Sequence, residues 1–106
     1  MSDTIIKNWF FVNLEYDTNI AAQVLGGIVV EDNKGRWQPG DYACTSKIVE
    51  SLGNGLYQTR NSCFECLGEG QEVSLMAESI FELRRGVSPE EYLALKDLNQ
   101  QGIQAS

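Results

Sequence analysis

The segment IIKNWFFVNL, from Ile5 to Leu14, decides the fold class of this chain. It is rich in β-branched and aromatic residues, which favour strands. With the period of two that a strand imposes, four apolar residues share one face: Ile6, Phe10, Val12 and Leu14. Asn8 interrupts that face near its start, and Trp9 and Phe11 point to the opposite side. The pattern predicts a β-strand with one mostly apolar face.

Strand-like segments separated by turns continue to residue 67. The further predicted strands are Val24–Val30, Tyr42–Glu50, Leu56–Arg60 and Cys63–Leu67. Polar turns are predicted at Asp32–Gly35 and Gln38–Asp41, and a hairpin turn at Gly53–Gly55, because Asn and Gly tolerate positive φ angles. The Gly26-Gly27 pair inside the second strand indicates a bulge or a tight bend.

The pattern changes after Gly70. Apolar residues then recur at helical spacing: Val73, Ala77, Ile80 and Leu83. Gly86 stands where a glycine commonly ends a helix. Ser88 and Glu91 have the spacing of a capping box, with a proline between them in the first turn. A second helix is therefore predicted from this point to a position near Gly102.

These signals predict an α+β domain, with a small antiparallel β-barrel or sandwich of about five strands followed by two C-terminal helices. The chain has 106 residues, of which 42% are hydrophobic, and this fits a single globular domain. We expect the domain to span residues 1–106, with a β-rich part at 4–67 and a helical part at 72–102.

The charge balance argues against direct binding of nucleic acid. The chain has a formal net charge of -7, and its second part is the more acidic: residues 61–106 hold eight acidic and three basic side chains. Nucleic-acid-binding domains usually have the opposite balance, because they pair Lys and Arg with phosphates. The acidic surface suits a basic protein partner, and the alternative that it only keeps the protein soluble stays open.

Few residues in the sequence suggest catalysis or metal binding. Histidine is absent, and no phosphate-binding glycine motif occurs. Cys63 and Cys66 form a C-x-x-C motif, but Cys44 is the only other cysteine, so zinc would lack a second ligand pair. A redox motif would be expected at a strand-to-helix turn rather than on a strand. We therefore expect a protein that is not an enzyme, with no metal, no cofactor and cysteines that act as small hydrophobic residues.

The N-terminal segment and the number of cysteines together predict the cellular location of the protein. No basic region precedes the apolar segment at 5–14, which is too short and too interrupted for a signal peptide or a membrane span. An odd number of cysteines favours reduced thiols. We expect a cytoplasmic protein of a bacterial cell that does not bind membranes.

The candidate residues for binding a partner combine acid with aromatic anchors. Glu65, Glu69 and Glu72 surround the glycine-rich junction at 68–70 and are the predicted contacts to a basic surface. Trp9 and Trp37 are the predicted anchors, since tryptophan is enriched at interface hot spots. The alternative, in which the helices cover Trp9 and Phe11, stays open.

Two motifs carry a resemblance to a known family. The segments GDYACTS, at 40–46, and TRNSCF, at 59–64, followed by Gly68, resemble a pattern in an uncharacterised family of small bacterial and prophage proteins. The resemblance covers residues 24–70 and implies no activity and no catalytic residues. In its general properties the chain is also similar to anti-CRISPR proteins, which are short, acidic and without catalytic apparatus.

The sequence therefore predicts a non-enzymatic inhibitor encoded by a phage or another mobile element. Such a protein would bind a bacterial defence complex and block its nucleic-acid-binding surface with acidic side chains. The alternative is a housekeeping protein–protein interaction module, an SH3-like barrel whose helical tail makes a homodimer.

Overall fold

A computed structural model describes residues 2–96, and these residues form a mostly β-sheet α+β domain. Within them lie seven strands, β1 to β7: Thr4–Tyr16, Asn19–Asp32, Tyr42–Cys44, Ile48–Gly53, Leu56–Thr59, Cys63–Cys66 and Gln71–Met76. A 3₁₀ turn at Ala77–Ser79 leads into helix α1, Ile80–Leu83. A second helix, α2, begins at residue 89, and the structure describes it to residue 96. None of the described helices is long and apolar enough to cross a membrane.

The long hairpin of β1 and β2 forms the centre of the sheet. The two strands pair antiparallel from Thr4, opposite Asp32, to Tyr16, opposite Asn19. Asp17 and Thr18 join them, with φ angles of 52° and 68°. Strand β2 therefore starts at Asn19, before the predicted Val24. The sequence does not predict this hairpin, because its two-residue turn lacks the glycine that usually marks one.

Strand β1 pairs with two different strands along its other edge. Its first part, Thr4–Ile6, pairs parallel with β6, and its later part, Phe10–Glu15, pairs parallel with β7. The sheet order is β3-β2-β1-β6-β5-β4, with β7 beside the far half of β1. The edge strands β3 and β4 are joined by residues 45–47 alone, so the sheet curls strongly.

The curled sheet is not closed, so the predicted barrel is wrong. The predicted third strand, Tyr42–Glu50, is two strands that lie at opposite edges of the sheet. Thr45 marks the crossing: its N–H donates to Leu25 O and its Oγ1 accepts from Leu25 N–H, both at 2.9 Å. After Thr45 the chain no longer pairs with β2, and β4 begins three residues later, at Ile48. Among the described residues, no hydrogen-bonded ladder joins the β3 edge of the sheet to the β4 edge.

A β-bulge in β1 changes which side chains share a face. The register shifts between Lys7 and Phe10, and Asn8 has a φ angle of 48°. The extra residue reverses the alternation, so that Ile6 lies on the side of Trp9 and Phe11. The predicted common face of Ile6 and Phe10 is therefore wrong.

The two sides of the sheet each have a core. The inner core lies inside the curl and consists of Ile6, Leu25, Val29, Ala43, Phe64 and Cys66. The helix-side core lies on the opposite side and consists of Phe10, Val12, Leu14, Val24, Leu75 and Leu83. Side chains of α1 and α2, Ile80 and Tyr92, pack against the helix-side core. The C-terminal helices thus cover the side of the sheet that lies opposite the inner core.

The helical part begins later than predicted. Residues 71–76 are strand β7 rather than the start of a helix at residue 72. The spacing of Val73 and Ala77 suits a helix, but Val73 and Leu75 also suit a strand, and pairing with β1 decides between them. Gly86, with a φ angle of 96°, follows α1 as predicted. The predicted end near residue 102 lies outside the described residues.

The start of α2 confirms the predicted capping box. Glu91 N–H donates to Ser88 Oγ at 3.1 Å, and Ser88 N–H donates to Glu91 Oε1 at 3.4 Å. Each residue satisfies a backbone donor that the first helical turn leaves unpaired. Ser88 and Glu91 therefore fix the position where α2 meets the sheet.

Candidate functional site

A cleft of about 510 Å³ opens between the sheet and the start of α2. We call it the acidic cleft, and its lining residues are Asn8, Trp9, Phe10, Ile28, Tyr42, Glu69, Gln71, Ser88, Glu90 and Glu91. Three of these are glutamates, and none of the described residues that line the cleft is Lys or Arg. Its surface therefore combines apolar and aromatic area with negative charge.

The bulge places Trp9 at the edge of this cleft. Trp9 Nε1–H donates to Gly68 O at 3.3 Å, and its ring centroid lies 5.9 Å from that of Tyr57. A Cβ at Gly70 would lie only 2.5 Å from the indole ring, so the backbone of the 68–70 loop packs directly on Trp9. Trp9 is half-buried against this loop and the inner core rather than covered by the helices.

A second, smaller hollow of about 310 Å³ lies on the other side of Trp9. Its lining residues are Trp9, Phe11, Tyr57, Gly70, Gln71 and Glu72. We call it the aromatic hollow. Glu72 Oε2 accepts a hydrogen bond from Asn13 Nδ2 at 2.8 Å, which holds the carboxylate over β1. Trp9 and Gln71 line both depressions, so the two form one continuous surface.

Tyr42 lines the acidic cleft and carries a hydroxyl that is unpaired in the described part of the chain. Its Oη is buried and has no hydrogen-bond partner among the described residues. The phenol fits over Gly26, where a Cβ would lie 2.8 Å from Oη. Burial raises the pKa of Tyr42 well above its usual range, and the charges of Cys44, Glu91 and Glu90 raise it further. The hydroxyl is therefore neutral and able to accept or donate a hydrogen bond.

The glutamates of the cleft differ in whether their carboxylates form hydrogen bonds within the fold. Glu91 is held in the capping box of α2. Glu69 and Glu90 are exposed and form no ion pair or side-chain hydrogen bond within residues 2–96. These two carboxylates are thus exposed at the cleft that Tyr42 also lines, and their negative charge is available to a cation.

The structure brings together three of the five predicted site residues. Trp9 lines both depressions, Glu69 lines the acidic cleft and Glu72 lines the aromatic hollow. Glu65 lies elsewhere, on β6, where Ser2 Oγ donates to its Oε1 at 3.1 Å. Trp37 also lies apart, packed on Phe64 with a centroid distance of 6.2 Å. These two residues share no cleft with the other three.

Trp37 belongs instead to a polar network centred on Asp32. The Asp32 carboxylate is buried and accepts hydrogen bonds from Thr4 Oγ1 at 2.7 Å and from three backbone N–H groups. Those groups belong to Arg36, Trp37 and Lys34, at 2.6, 3.0 and 3.2 Å. Burial alone would raise the pKa of Asp32, but these hydrogen bonds outweigh it and hold the pKa well below its usual range.

The network also ties the 33–37 turn to the start of β6. Arg36 Nη1 donates to Ser62 Oγ at 2.8 Å, and the guanidinium lies 4.6 Å from the centroid of the Trp37 ring. Lys34 Nζ donates to Asn61 O. Asn61 and Ser62 belong to the TRNSCF motif, so this motif has a structural role here. We call this group of residues the Asp32 network.

Two of the three cysteines, Cys44 and Cys66, have thiols whose pKa is raised by burial. Burial raises the pKa of Cys44 to about 11, and burial together with the charge of Glu65 raises the pKa of Cys66 to about 12. Both are therefore protonated thiols, and they are poor nucleophiles and poor metal ligands in this state. No group of three or more Cys, Asp or Glu side chains in residues 2–96 is placed to hold a metal ion.

Sequence reasoning missed Asn8, Tyr42 and Glu90 as parts of the site. Asn8 had a visible signal, because it breaks the apolar alternation of β1 at the bulge. The Gly26-Gly27 pair was a weaker signal, since Gly26 makes the room that the Tyr42 ring occupies. Glu90 lies in the first turn of the predicted second helix, and only the packing of α2 shows that it lines a cleft.

Comparison with known families gives one match. Residues 1–82 match a family described as a domain of unknown function, DUF6957. The match covers all seven strands and both carboxylates at 69 and 72, but not α2. Neither curated proteins nor solved structures gave a significant match.

Proposed function

The chain belongs to the DUF6957 family, and we propose that it is a non-enzymatic protein that binds a basic surface of a nucleic-acid-binding complex. The contact surface would be the acidic cleft together with the aromatic hollow. In this position the protein would act by occupancy, since it would exclude nucleic acid from the surface that it covers.

One observation carries this proposal: four glutamates line a continuous surface around Trp9 without a basic side chain among the described lining residues. Glu69, Glu90 and Glu91 line one side, and Glu72 lines the other. A surface of one charge sign attracts the opposite sign and accelerates association. Trp9 supplies the aromatic area that interface hot spots commonly contain.

The inhibitory form of the proposal follows from the chemistry of phosphate sites. Lys and Arg that hold phosphates also pair with carboxylates, through charge-assisted hydrogen bonds. A protein that presents several carboxylates therefore competes with the nucleic acid backbone for the same side chains. The finer proposal is a phage- or mobile-element-encoded inhibitor of a CRISPR effector in the bacterial cytoplasm, supported by the small size and net charge of -7.

Affinity capture from lysates of bacteria with defined CRISPR systems tests the proposal. The tagged protein should capture an effector complex at low salt and release it as salt rises. A variant with Glu69, Glu72 and Glu90 changed to Lys should lose this capture.

The matched control changes Glu31, Glu50 and Glu78 to Lys. These three residues are exposed and lie outside both depressions, and the net charge changes by the same amount. Equal loss of capture in both variants would mean that overall charge matters rather than this surface. Retained capture in the cleft variant, or capture of no nucleic-acid-binding complex, would contradict the proposal.

A different observation favours a second candidate function, an interaction module that forms a homodimer. A patch of exposed apolar side chains lies near the tip of the β1–β2 hairpin, and its members are Tyr16, Met76 and Phe81. Phe81 is 68% exposed and lines a surface groove with Tyr16 and Met76. Exposed apolar patches often mark protein interfaces. A mass that doubles with concentration, and that returns to the monomer value in Phe81→Ser, would support this candidate; a monomer at all concentrations would exclude it.

A further inference from the structure

We infer that the acidic cleft receives one cationic side chain of the partner, an arginine or a lysine, with Tyr42 Oη as a hydrogen-bond acceptor for its N–H group. The inference rests on the proposed function, because that function supplies a partner with a basic surface. It adds the position of the central contact and the chemistry that recognises it.

The dimensions and the lining of the cleft suit a long side chain with a charged end. The volume of about 510 Å³ lies in the range of ligand-binding clefts, roughly 300–1,000 Å³. Phe10, Ile28 and the Tyr42 ring offer apolar contact to an alkyl stem. Arginine and lysine both combine such a stem with a terminal cation.

The polar lining selects for positive charge. Glu69 and Glu90 have carboxylates without an ion-pair partner among the described residues, and Glu91 adds a third negative charge. An anion would be repelled at this site. A metal ion is also disfavoured, because these carboxylates do not converge on one point within the part of the chain that the structure describes. An organic cation with several N–H donors fits better, since it can reach acceptors that lie apart.

The Tyr42 hydroxyl is an independent sign that the cleft receives a hydrogen-bonding group. Buried polar atoms in folded proteins are nearly always paired, so an unpaired one needs an explanation. Tyr42 lines the cleft, and its Oη is buried over Gly26 without a partner in residues 2–96. Because the phenol stays protonated, its oxygen can accept an N–H group without adding charge. A cation that enters the cleft would satisfy it.

Titration with small probes tests this inference directly. N-acetyl-arginine amide and N-acetyl-lysine amide are added to the ¹⁵N-labelled protein, and the signals of the two tryptophan indoles are followed by NMR. The Trp9→Phe variant assigns the Trp9 signal. We expect both probes to shift the Trp9 indole signal and the amide signals of residues 88–91. The citrulline amide, which is uncharged and similar in shape to arginine, should cause no such shift.

The Tyr42→Phe variant tests the role of the hydroxyl. Removal of the acceptor should weaken binding of the arginine probe about fivefold to tenfold, which corresponds to about 1 kcal/mol. Tyr16→Phe, which changes a tyrosine outside the cleft, should bind the probe as the wild type does. Equal affinity for arginine and citrulline amides, or unchanged affinity in Tyr42→Phe, would overturn the inference.

The outcome also separates this inference from the proposed function. If Glu69, Glu72 and Glu90 reversal abolishes partner capture but the Tyr42→Phe variant binds the arginine probe normally, the proposed function stands and the cleft inference is wrong. If the probes bind as expected but capture is insensitive to charge reversal, the cleft inference stands and the proposed surface is wrong.

Discussion

The Asp32 network and the acidic cleft use the same chemical groups in opposite ways. In the network a buried carboxylate accepts hydrogen bonds from five donors, and the Ser62 hydroxyl accepts two more. In the cleft the Tyr42 hydroxyl is unpaired and Glu69 and Glu90 face solvent. The Asp32 network pairs its polar groups within the fold, whereas Tyr42 Oη, Glu69 and Glu90 have no partner among the described residues. The comparison separates a structural polar cluster from a candidate binding site.

The largest expected effect is the loss of the Asp32 carboxylate. Asp32→Ala leaves the backbone N–H groups of Arg36 and Trp37 without their acceptor and leaves the Arg36 guanidinium without its counter-charge. We expect the free energy of unfolding to fall by about 3 kcal/mol. Urea denaturation measures this loss, with Glu50→Ala, which removes an exposed carboxylate on β4, as the control. A loss below about 1 kcal/mol would mean that the network contributes little to the fold.

The network should also make stability depend on pH in acid. The pKa of Asp32 is lower in the folded protein than in the unfolded chain, so its contribution is present above pH 4. Below pH 4 the unfolded chain binds a proton that the folded protein does not, and this one group should remove about 1.4 kcal/mol per pH unit. Urea denaturation between pH 2 and pH 5 would show a steeper decline in the wild type than in Asp32→Asn. Parallel curves would contradict the assignment.

One hydroxyl from each region gives a matched pair of deletions. Ser62→Ala removes an acceptor for Arg36 and Lys34 and should cost about 1–2 kcal/mol of stability. Tyr42→Phe removes a buried hydroxyl that has no partner among the described residues, so stability should stay equal or rise by up to about 1 kcal/mol. Thermal and urea unfolding of both variants measure the difference. Destabilisation by Tyr42→Phe equal to that by Ser62→Ala would show that the Tyr42 hydroxyl has a structural role.

The smallest expected effect on stability belongs to the cleft carboxylates. Glu69→Gln and Glu90→Gln should leave the free energy of unfolding within about 0.5 kcal/mol of the wild type, because both residues are exposed. The same variants should bind N-acetyl-arginine amide more weakly. If these variants lost stability but bound the probe normally, Glu69 and Glu90 would have a structural role, as Asp32 does.

The sequence was sufficient where a local signal determines the structure. The Gly53–Gly55 hairpin turn joins β4 and β5, and the Ser88–Glu91 capping box starts α2, as their residue types predict. Pairing between distant segments was not predictable in this way. Strand β7 pairs parallel with β1, and the residues between the two strands contain no local pattern that predicts this pairing. The apolar spacing of Val73, Leu75 and Ala77 is compatible with either a helix or a strand.

The candidate site was likewise predictable only where the residue type alone identifies a member. Trp9, Glu69 and Glu72 were identified by residue type, and β7 brings Glu72 beside β1, close to Trp9. Tyr42 reaches the cleft because β3 pairs with β2 over Gly26, and Glu90 reaches it because α2 packs on the helix-side core. Both depend on tertiary contacts, so no local pattern marks them.

Mapping where a short basic peptide binds tests the central claim most directly. Tetra-arginine is titrated into the ¹⁵N-labelled protein, and chemical-shift changes are followed for every assigned backbone amide. We predict changes concentrated at residues 8–10, 69–72 and 88–91, with the amides of the Asp32 network at 32–37 unmoved. Changes spread evenly over all acidic residues, or centred away from the cleft, would contradict it.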